Sequence, residues 1–162
     1  MAGTTLDPGF KHEVANQPGG ENIRRCFTCG TCTAGCPVRG VDEKFNPRKI
    51  IRMVLLGMKE RVLKSDLIWR CSACYTCDER CPQDVRITDV MSALRNLAVK
   101  EGHLHPGFRA QVKPIERFGR FYPIEKFDNK KRTTLILPPL PTECNTAARI
   151  FEITGLKALL AK

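Results

Sequence analysis

The sequence contains no long apolar run. Its longest uninterrupted apolar stretches, such as 53–56, have four residues and fall far short of the roughly 20 residues that a membrane-spanning helix needs. The first 25 residues also lack the continuous apolar segment that is typical of a secretory signal. These absences predict a cytoplasmic protein with no direct membrane span.

Several enzyme motifs are missing as well. The chain has no glycine-rich dinucleotide-binding loop, no P-loop and no adjacent Cys-Cys pair that could support a disulfide-reducing centre. It has three histidines, His12, His103 and His105, and no pattern pairs them with a carboxylate or a metal-binding set. We therefore expect no catalytic residue and no substrate site in this chain itself.

Cysteine, in contrast, is abundant, with nine residues in 162. Because cytosolic thiols stay reduced, this density favours metal or redox chemistry over disulfides. The chain also has 27 Lys and Arg against 17 Asp and Glu, a net charge of +10. This positive charge favours an acidic partner.

Eight of the nine cysteines form an internal repeat. The pattern C-x2-C-x2-C-x3-C-P begins at Cys26 and again at Cys71, 45 residues later. Three cysteines spaced three apart can reach three corners of one cube, whereas the fourth, held extended by the following proline, ligates the other cube in two-cluster ferredoxins. The predicted ligands are Cys26, Cys29, Cys32 and Cys81 for one [4Fe-4S] cluster, and Cys71, Cys74, Cys77 and Cys36 for the other.

Other uses of the cysteines fit this spacing less well. Structural zinc sites usually pair two separated C-x2-C knuckles and often include histidine, and no histidine lies near either run. Disulfides are disfavoured in a reducing compartment. Cys144 stands outside the repeat and is better explained as a small apolar residue on the last helix than as a redox group.

Helices are predicted around both cysteine runs. Asn46-Pro47 is a favourable helix start before an apolar stripe that continues to Met58. After the second run, Thr88 can cap a helix that ends at Gly102, and a short helical segment over 65–69 leads into that run. With no strand predicted between the runs, the fold class is mainly α.

The two ends differ in composition from the centre. Residues 1–20 are rich in Gly, Pro, Asn and Thr and predict an N-terminal tail with Phe10 as its anchor. Residues 106–141 hold six prolines and five of the eleven aromatics, too apolar for a solvated linker and too proline-rich for a long helix. A final helix is predicted over about 142–153. The predicted domains are thus the tail at 1–20, a two-cluster domain at 21–105, and an extended Pro- and aromatic-rich C-terminal arm with a helix for partner docking at 106–162.

The paired motifs, each followed by a helix, resemble the α-helical ferredoxin module, which also forms the cluster-bearing half of succinate dehydrogenase iron–sulfur proteins. The chain length, the sequence Ile68-Trp69-Arg70-Cys71 and the proline-rich C-terminal segment are most similar to the C subunit of heterodisulfide reductase. The resemblance is strong over about residues 20–105 and looser beyond. It implies an α-helical ferredoxin domain with two [4Fe-4S] clusters, held by all eight repeat cysteines.

The resemblance also implies a function. In that family the C subunit relays electrons from a flavin-containing A subunit to the B subunit, whose Cys-Cys-Gly-ligated clusters reduce a disulfide. The chain is therefore expected to be an electron-transfer component of an oxidoreductase complex of anaerobic metabolism. Its expected partners are an A-like and a B-like protein, in an assembly compatible with a dimer of heterotrimers.

Two alternatives stay open at this point. An iron–sulfur component of a membrane-associated, quinone-linked oxidoreductase would normally bring an N-terminal [2Fe-2S] domain, and residues 1–25 contain no cysteine. A basic nucleic-acid-binding cluster protein is the weaker alternative. The basic residues of this chain are dispersed, and its aromatic residues lie in a proline-rich segment rather than on a surface where bases could stack. We therefore expect no nucleic acid among the partners.

Overall fold

A computed structural model of the chain describes residues 5–161, and over that range helices are the only regular secondary structure. The predicted mainly α class is thereby confirmed. The chain divides into two compact units, the first ending at His103 and the second beginning at Leu104. Residues 1–4 of the predicted tail and residue 162 of the predicted arm lie outside the described residues. None of the helices from 5 to 161 has the length and apolar character that crossing a membrane requires.

The first unit is built from short helices that share one apolar core. Two 3-10 turns, Ile23–Arg25 and Asp66–Arg70, lead directly into the two cysteine runs. The helices are α1 (Phe10–Ala15), α2 (Thr31–Ala34), α3 (Pro37–Val41), α4 (Pro47–Leu55), α5 (Lys59–Leu63), α6 (Thr76–Glu79) and α7 (Ile87–Lys100). Buried apolar side chains from α1, α4, α5 and α7 meet in a single cluster, against which six of the repeat cysteines pack.

Local signals place most of these elements as the sequence predicts. The side chain of Asn46 accepts the N–H of Lys49, which confirms the predicted start of α4. The hydroxyl of Ser65 accepts the N–H of Leu67 at the start of the predicted short helical segment. Gly102 has a φ of 83° just after the end of α7, the left-handed position for which glycine is favoured.

The segment predicted as an N-terminal tail contributes to the core. Phe10 and Val14 of α1 are fully buried, and the N–H of Asp7 donates to the carbonyl of Gly57. At Gly20 a Cβ would lie 1.9 Å from the Val14 carbonyl oxygen, so the chain folds tightly back on α1. A helix of six residues is too short for its periodicity to stand out, and its Gly- and Pro-rich flanks are turns of a packed segment.

The predicted cap of α7 is wrong. This helix begins at Ile87 after Arg86, whose φ is 57°, and Thr88 is already its second residue. The N–H of Thr88 donates to Oδ1 of Asp78 over 3.0 Å. A carboxylate from the second cysteine run therefore satisfies the helix start that a capping side chain would otherwise serve.

Between residues 104 and 161 the second unit contains four helices. They are α8 (Pro106–Phe118), α9 (Lys126–Thr134), α10 (Asn145–Ile153) and α11 (Leu156–Ala161), with α10 packed on α8. The prediction that this segment is too proline-rich for a long helix is wrong, because α8 has 13 residues. Pro106 is at its first position, where proline is tolerated, and Pro114 removes only one internal hydrogen bond. The helix predicted over about 142–153 is confirmed as α10, which ends just before Gly155, but it is not the last helix, because α11 follows it.

Candidate metal centres

The eight repeat cysteines line two cavities in the first unit. The first cavity is lined by Cys26, Cys29, Cys32 and Cys81, and the second by Cys36, Cys71, Cys74 and Cys77. Each cavity thus receives three cysteines from one run and the fourth from the other run. All eight are free thiols. This is the grouping that the predicted crossed ligation requires, and the ligation itself stays a prediction.

The two runs wrap their cavities with the same backbone turns. In the first run Thr28 and Gly30 have φ values of 62° and 94°, and in the second run Ala73 and Tyr75 have values of 52° and 60°. Left-handed residues on either side of the second cysteine turn the chain sharply and bring successive thiols to one cavity. A short helix, α2 or α6, then carries the third cysteine. Equivalent turns at a constant sequence offset show that the repeat is structural as well as sequential.

A threonine hydroxyl accompanies the most exposed cysteine of each set. Oγ1 of Thr31 lies 3.3 Å from Sγ of Cys29, and Oγ1 of Thr76 lies 3.5 Å from Sγ of Cys74. These hydrogen bonds are the main cause of a lowered pKa at both thiols. The hydroxyls therefore favour the thiolate form, which is the form that binds metal.

The cysteines deeper in the two cavities behave in the opposite way. Burial raises the pKa of Cys26 and of Cys32, and it raises the pKa of Cys77 to about 12, with the negative charge of Asp78 contributing further. Buried thiols resist ionisation unless a positive charge compensates the thiolate. A metal centre supplies that charge and releases the proton on binding.

The donor sets fit a [4Fe-4S] cluster better than a single ion. Among residues 5–161, no three Cys, His, Asp or Glu side chains converge closely enough to hold one metal ion, whereas structural zinc needs four convergent ligands. Four thiols are instead spread around each cavity, as a cube with four iron corners demands. Apolar side chains complete both walls: Ile51 and Val85 in the first cavity, and Val38, Phe45 and Met91 in the second.

Ile87 connects the two sites. Its side chain is only 3% exposed and lines both cavities. The cavities are therefore direct neighbours, separated by an apolar side chain from which water is excluded. Such an arrangement suits transfer of electrons between two adjacent centres.

The sequence alone gave no role to three charged residues near these sites. Arg48 lines the first cavity, and Asp78 lies beside Cys77. Arg95 of α7 donates to the carbonyls of Ile68 and Cys71 over 2.8 and 2.7 Å, so it fixes the start of the second run. The repeat offset could have indicated Asp78, but no motif links Arg95 to acceptors 27 and 24 residues away.

Cys144 lies in the second unit, apart from the eight repeat cysteines in sequence. It immediately precedes α10, and its N–H donates to the carbonyl of Arg117 over 3.1 Å. A Cβ at Gly119 would come within 2.8 Å of its Sγ. These contacts agree with the small packed residue that the sequence indicated. Its predicted position on the last helix is wrong, because Cys144 precedes α10 and α11 follows that helix.

Known proteins share both the motif and most of the chain. Residues 22–85 match the 4Fe-4S dicluster domain family. The chain is 42% identical over 118 residues to an iron-sulfur C subunit (C 2) of the CoB--CoM heterodisulfide reductase of Methanocaldococcus jannaschii, covering 73% of this chain but only 62% of that relative. It is 32% identical over 162 residues to the C subunit of the H(2):CoB-CoM heterodisulfide,ferredoxin reductase of Methanothermobacter thermautotrophicus. This match covers 96% of this chain and 86% of that relative. It is 38% identical over 141 residues to the C subunit of the Ferredoxin:CoB-CoM heterodisulfide reductase of Methanosarcina mazei. This match covers 87% of this chain and 85% of that relative.

Proposed function

The chain belongs to the family of heterodisulfide reductase C subunits, and from that premise we propose which cysteines hold its two [4Fe-4S] clusters and which proteins it joins. As an iron–sulfur protein of this family it transfers electrons within an oxidoreductase complex. The observation that carries the ligand proposal is the lining of the two cavities by three cysteines of one run and one of the other. The ligand sets are Cys26, Cys29, Cys32 and Cys81, and Cys71, Cys74, Cys77 and Cys36.

The proposed partners are a flavin-containing A-like protein that donates electrons and a Cys-Cys-Gly B-like protein that receives them. By analogy with the relatives, whose names specify the CoB-CoM heterodisulfide, the complete complex would reduce a disulfide formed from two thiols. A cytoplasmic location is part of this proposal. All nine cysteines are free, which an oxidising compartment would not favour.

The residues of this chain would control the environment of the two sites. Bound clusters supply one-electron carriers at the first and second cavities. Ile87 keeps water out of the space between them, and the apolar walls hold the deeper thiolates in a medium of low polarity. Once Cys29 and Cys74 are thiolates, the neighbouring hydroxyls of Thr31 and Thr76 would donate to them and stabilise their charge.

The second unit is the proposed docking element. Residues 104–162 contain eleven Lys and Arg against five Asp and Glu, so most of the net positive charge of the chain lies there. On α8 a groove of about 660 Å³ combines the cations Arg109, Lys113 and Arg117 with the apolar side chains of Pro106 and Phe118. Cations around an apolar floor fit an acidic partner face that also buries apolar side chains. We propose that one of the two partners presents such a face.

Iron content tests the cofactor assignment. Protein isolated anaerobically from cells should contain about eight irons and eight inorganic sulfides per chain, with a broad visible absorption that dithionite bleaches. Stoichiometric zinc with little iron would contradict the assignment. Cys144→Ser is the matched control, because this cysteine lies outside both cavities and its loss should leave the iron content unchanged.

Serine variants test the crossed ligation. Cys36→Ser should alter the electron paramagnetic resonance signal that Cys74→Ser alters, because both residues line the second cavity. Cys81→Ser should alter the signal that Cys29→Ser alters. If Cys36→Ser reproduced the spectrum of Cys29→Ser instead, each run would ligate its own cluster and the crossed assignment would be wrong.

A further inference from the structure

The two cysteine sites use equivalent residues that differ in charge. The third cysteine is followed by Thr33 in the first run and by Asp78 in the second, at the same offset of 45 as the cysteines. Oγ1 of Thr33 accepts the N–H of Arg48 over 3.0 Å, and Oδ1 of Asp78 accepts the N–H of Thr88 over 3.0 Å. Arg48 is the second residue of α4, and Thr88 is the second residue of α7. The same structural bond is therefore made by a neutral hydroxyl at one site and by a carboxylate at the other.

The carboxylate at the second site lies next to a proposed ligand. Oδ1 of Asp78 is 3.5 Å from Sγ of Cys77, whereas the equivalent Oγ1 of Thr33 is 4.0 Å from Sγ of Cys32. Within residues 5–161, no Lys, Arg or His side chain forms an ion pair with Asp78. No cation therefore pairs with this carboxylate. The N–H of Thr88 at the start of α7 offsets part of its negative charge, and the rest acts on the thiolate of Cys77.

At the first site, a cation takes the place of a hydroxyl. Arg48 lines the first cavity, and its Nη1 lies 3.2 Å from where a Cβ on Gly30 would be. Thr88, the equivalent of Arg48, instead places its Oγ1 3.5 Å from Sγ of Cys77. Arg48 forms no ion pair in the part of the chain that the structure describes. The first site thus has the cation of Arg48 where the second has the hydroxyl of Thr88. The second site has the carboxylate of Asp78 where the first has the hydroxyl of Thr33.

The other cations near the second run are paired, or they line neither cavity. Arg80 packs on Gly35, next to Cys36, but it directly precedes Cys81 of the other set and lines neither cavity. Arg70, before Cys71, forms an ion pair with Asp42, and Arg86 forms one with Asp89. The guanidinium of Arg95 is directed at two backbone carbonyls, whose dipoles partly offset its charge. The charge contrast therefore rests mainly on Arg48 and Asp78.

We propose that Arg48 and Asp78 set the order of the two reduction potentials, with the site of the first cavity the more readily reduced. The inference rests on the ligand sets proposed above. Each added electron makes a site more negative by one unit, which a nearby cation stabilises and a nearby carboxylate opposes. With this order of potentials, one electron moves favourably from the second site to the first. The second site is oxidised by one electron, the first is reduced by one electron, and no proton needs to move.

Redox titration of the complete holoprotein, followed by electron paramagnetic resonance, tests this order. The Cys29→Ser and Cys74→Ser spectra assign the two signals. Asp78→Asn keeps an amide oxygen for the N–H of Thr88, and at a fixed solution potential it should raise the ratio of reduced to oxidised second site at least about fivefold. Arg48→Gln should lower the same ratio at the first site by a similar factor. Each change should leave the other site nearly unaffected.

Neighbouring charges provide the matched controls. Glu79→Gln and Lys49→Gln remove an exposed charge one residue away from Asp78 and Arg48. Arg48 is exposed as well, but it lines the first cavity and Lys49 does not, and Asp78 rather than Glu79 lies beside Cys77, so the controls should shift the ratios much less. A second site more easily reduced than the first in the unsubstituted protein would overturn the inference. So would unchanged ratios in both Asp78→Asn and Arg48→Gln. With about eight irons still bound, either result would leave the proposed ligation standing, whereas iron loss from the unsubstituted protein would overturn the ligation first.

Discussion

The two units of the chain differ in how they treat their apolar side chains. In the first unit Phe10, Ile23 and Ile68 are completely buried in one core. In the second unit Phe151 is the only buried residue between 104 and 160, while Phe121 is 66% exposed. The first unit thus buries these apolar side chains in a core of its own. The second has helices but little core, so its apolar surface is available to a partner.

The two units also differ in net charge. Residues 1–103 hold 16 Lys and Arg against 12 Asp and Glu, an excess that two bound clusters would cancel. The second unit keeps its full positive excess, because it contains none of the eight repeat cysteines. The two units thus differ in charge as well as in burial, and the exposed apolar and positively charged surface of the second unit fits the docking role proposed for it.

Removing the second unit is the strongest test of this comparison. A chain ending at His105 should keep about eight irons, because both cavities and the whole core lie before that residue. Its anaerobic co-purification with the A-like and B-like proteins should fall to background, since the proposed docking surface is gone. Iron analysis and quantitative pull-down measure the two effects on the same sample.

The expected iron content and the expected loss of partner binding can each prove wrong, and each outcome has its own meaning. Loss of iron from the shortened chain would mean that the second unit completes the cluster-binding fold. Full iron together with undiminished partner binding would place the interface on the first unit instead. The full-length chain carrying Cys144→Ser serves as the control for handling losses.

Two single phenylalanine substitutions test the same difference in burial between the units. Phe10→Ala removes a fully buried ring and should lower the free energy of unfolding by about 3 kcal/mol or more. Phe121→Ala should change that free energy by less than about 0.5 kcal/mol, yet weaken partner binding at least about tenfold. Anaerobic urea titration and binding assays measure these effects. Equal destabilisation by both variants would remove the distinction between the units.

The cysteine spacing was sufficient to predict the grouping around the two cavities. Because a three-residue spacing and a following proline constrain the chain locally, the sequence alone assigned Cys36 and Cys81 across the repeat. The start of α4 at Asn46-Pro47 was predictable for the same reason, since capping depends on adjacent residues.

Features that depend on distant contacts could not be predicted in this way. Helix α1 forms because Phe10 and Val14 reach a core made mostly by later residues. Thr88 loses its expected capping role because Asp78, ten residues earlier, bonds to its N–H. Helix α8 continues through Pro114, and α10 packs against it. In each case tertiary packing outweighs local propensity.

The smallest predicted effect concerns how the first unit holds its N-terminal helix. Nζ of Lys59 lies 2.6 Å from a Glu101 oxygen and 2.8 Å from a Glu13 oxygen, so it links α5 to α1 and to the end of α7. Its hydrogen bonds to Glu101 and Glu13 raise the pKa of Lys59 above the ordinary value. The stability that it contributes is therefore fully present at neutral pH, and it is lost only as alkaline pH passes the raised pKa.

Lys59→Met should accordingly lower the free energy of unfolding by about 1 kcal/mol at neutral pH, with a smaller loss at high salt. Lys64→Met is the matched control, because the exposed pair of Lys64 with Glu60 lies within one helical segment and links no other element. Anaerobic urea titrations at low and high salt compare the two variants. If both changed stability equally, Lys59 would act as an ordinary surface charge, and apolar burial of Phe10 and Val14 alone would hold α1 in the first unit. If only Lys59→Met is destabilising, the ion pairs contribute to the self-contained first unit, whereas the second unit has little core of its own.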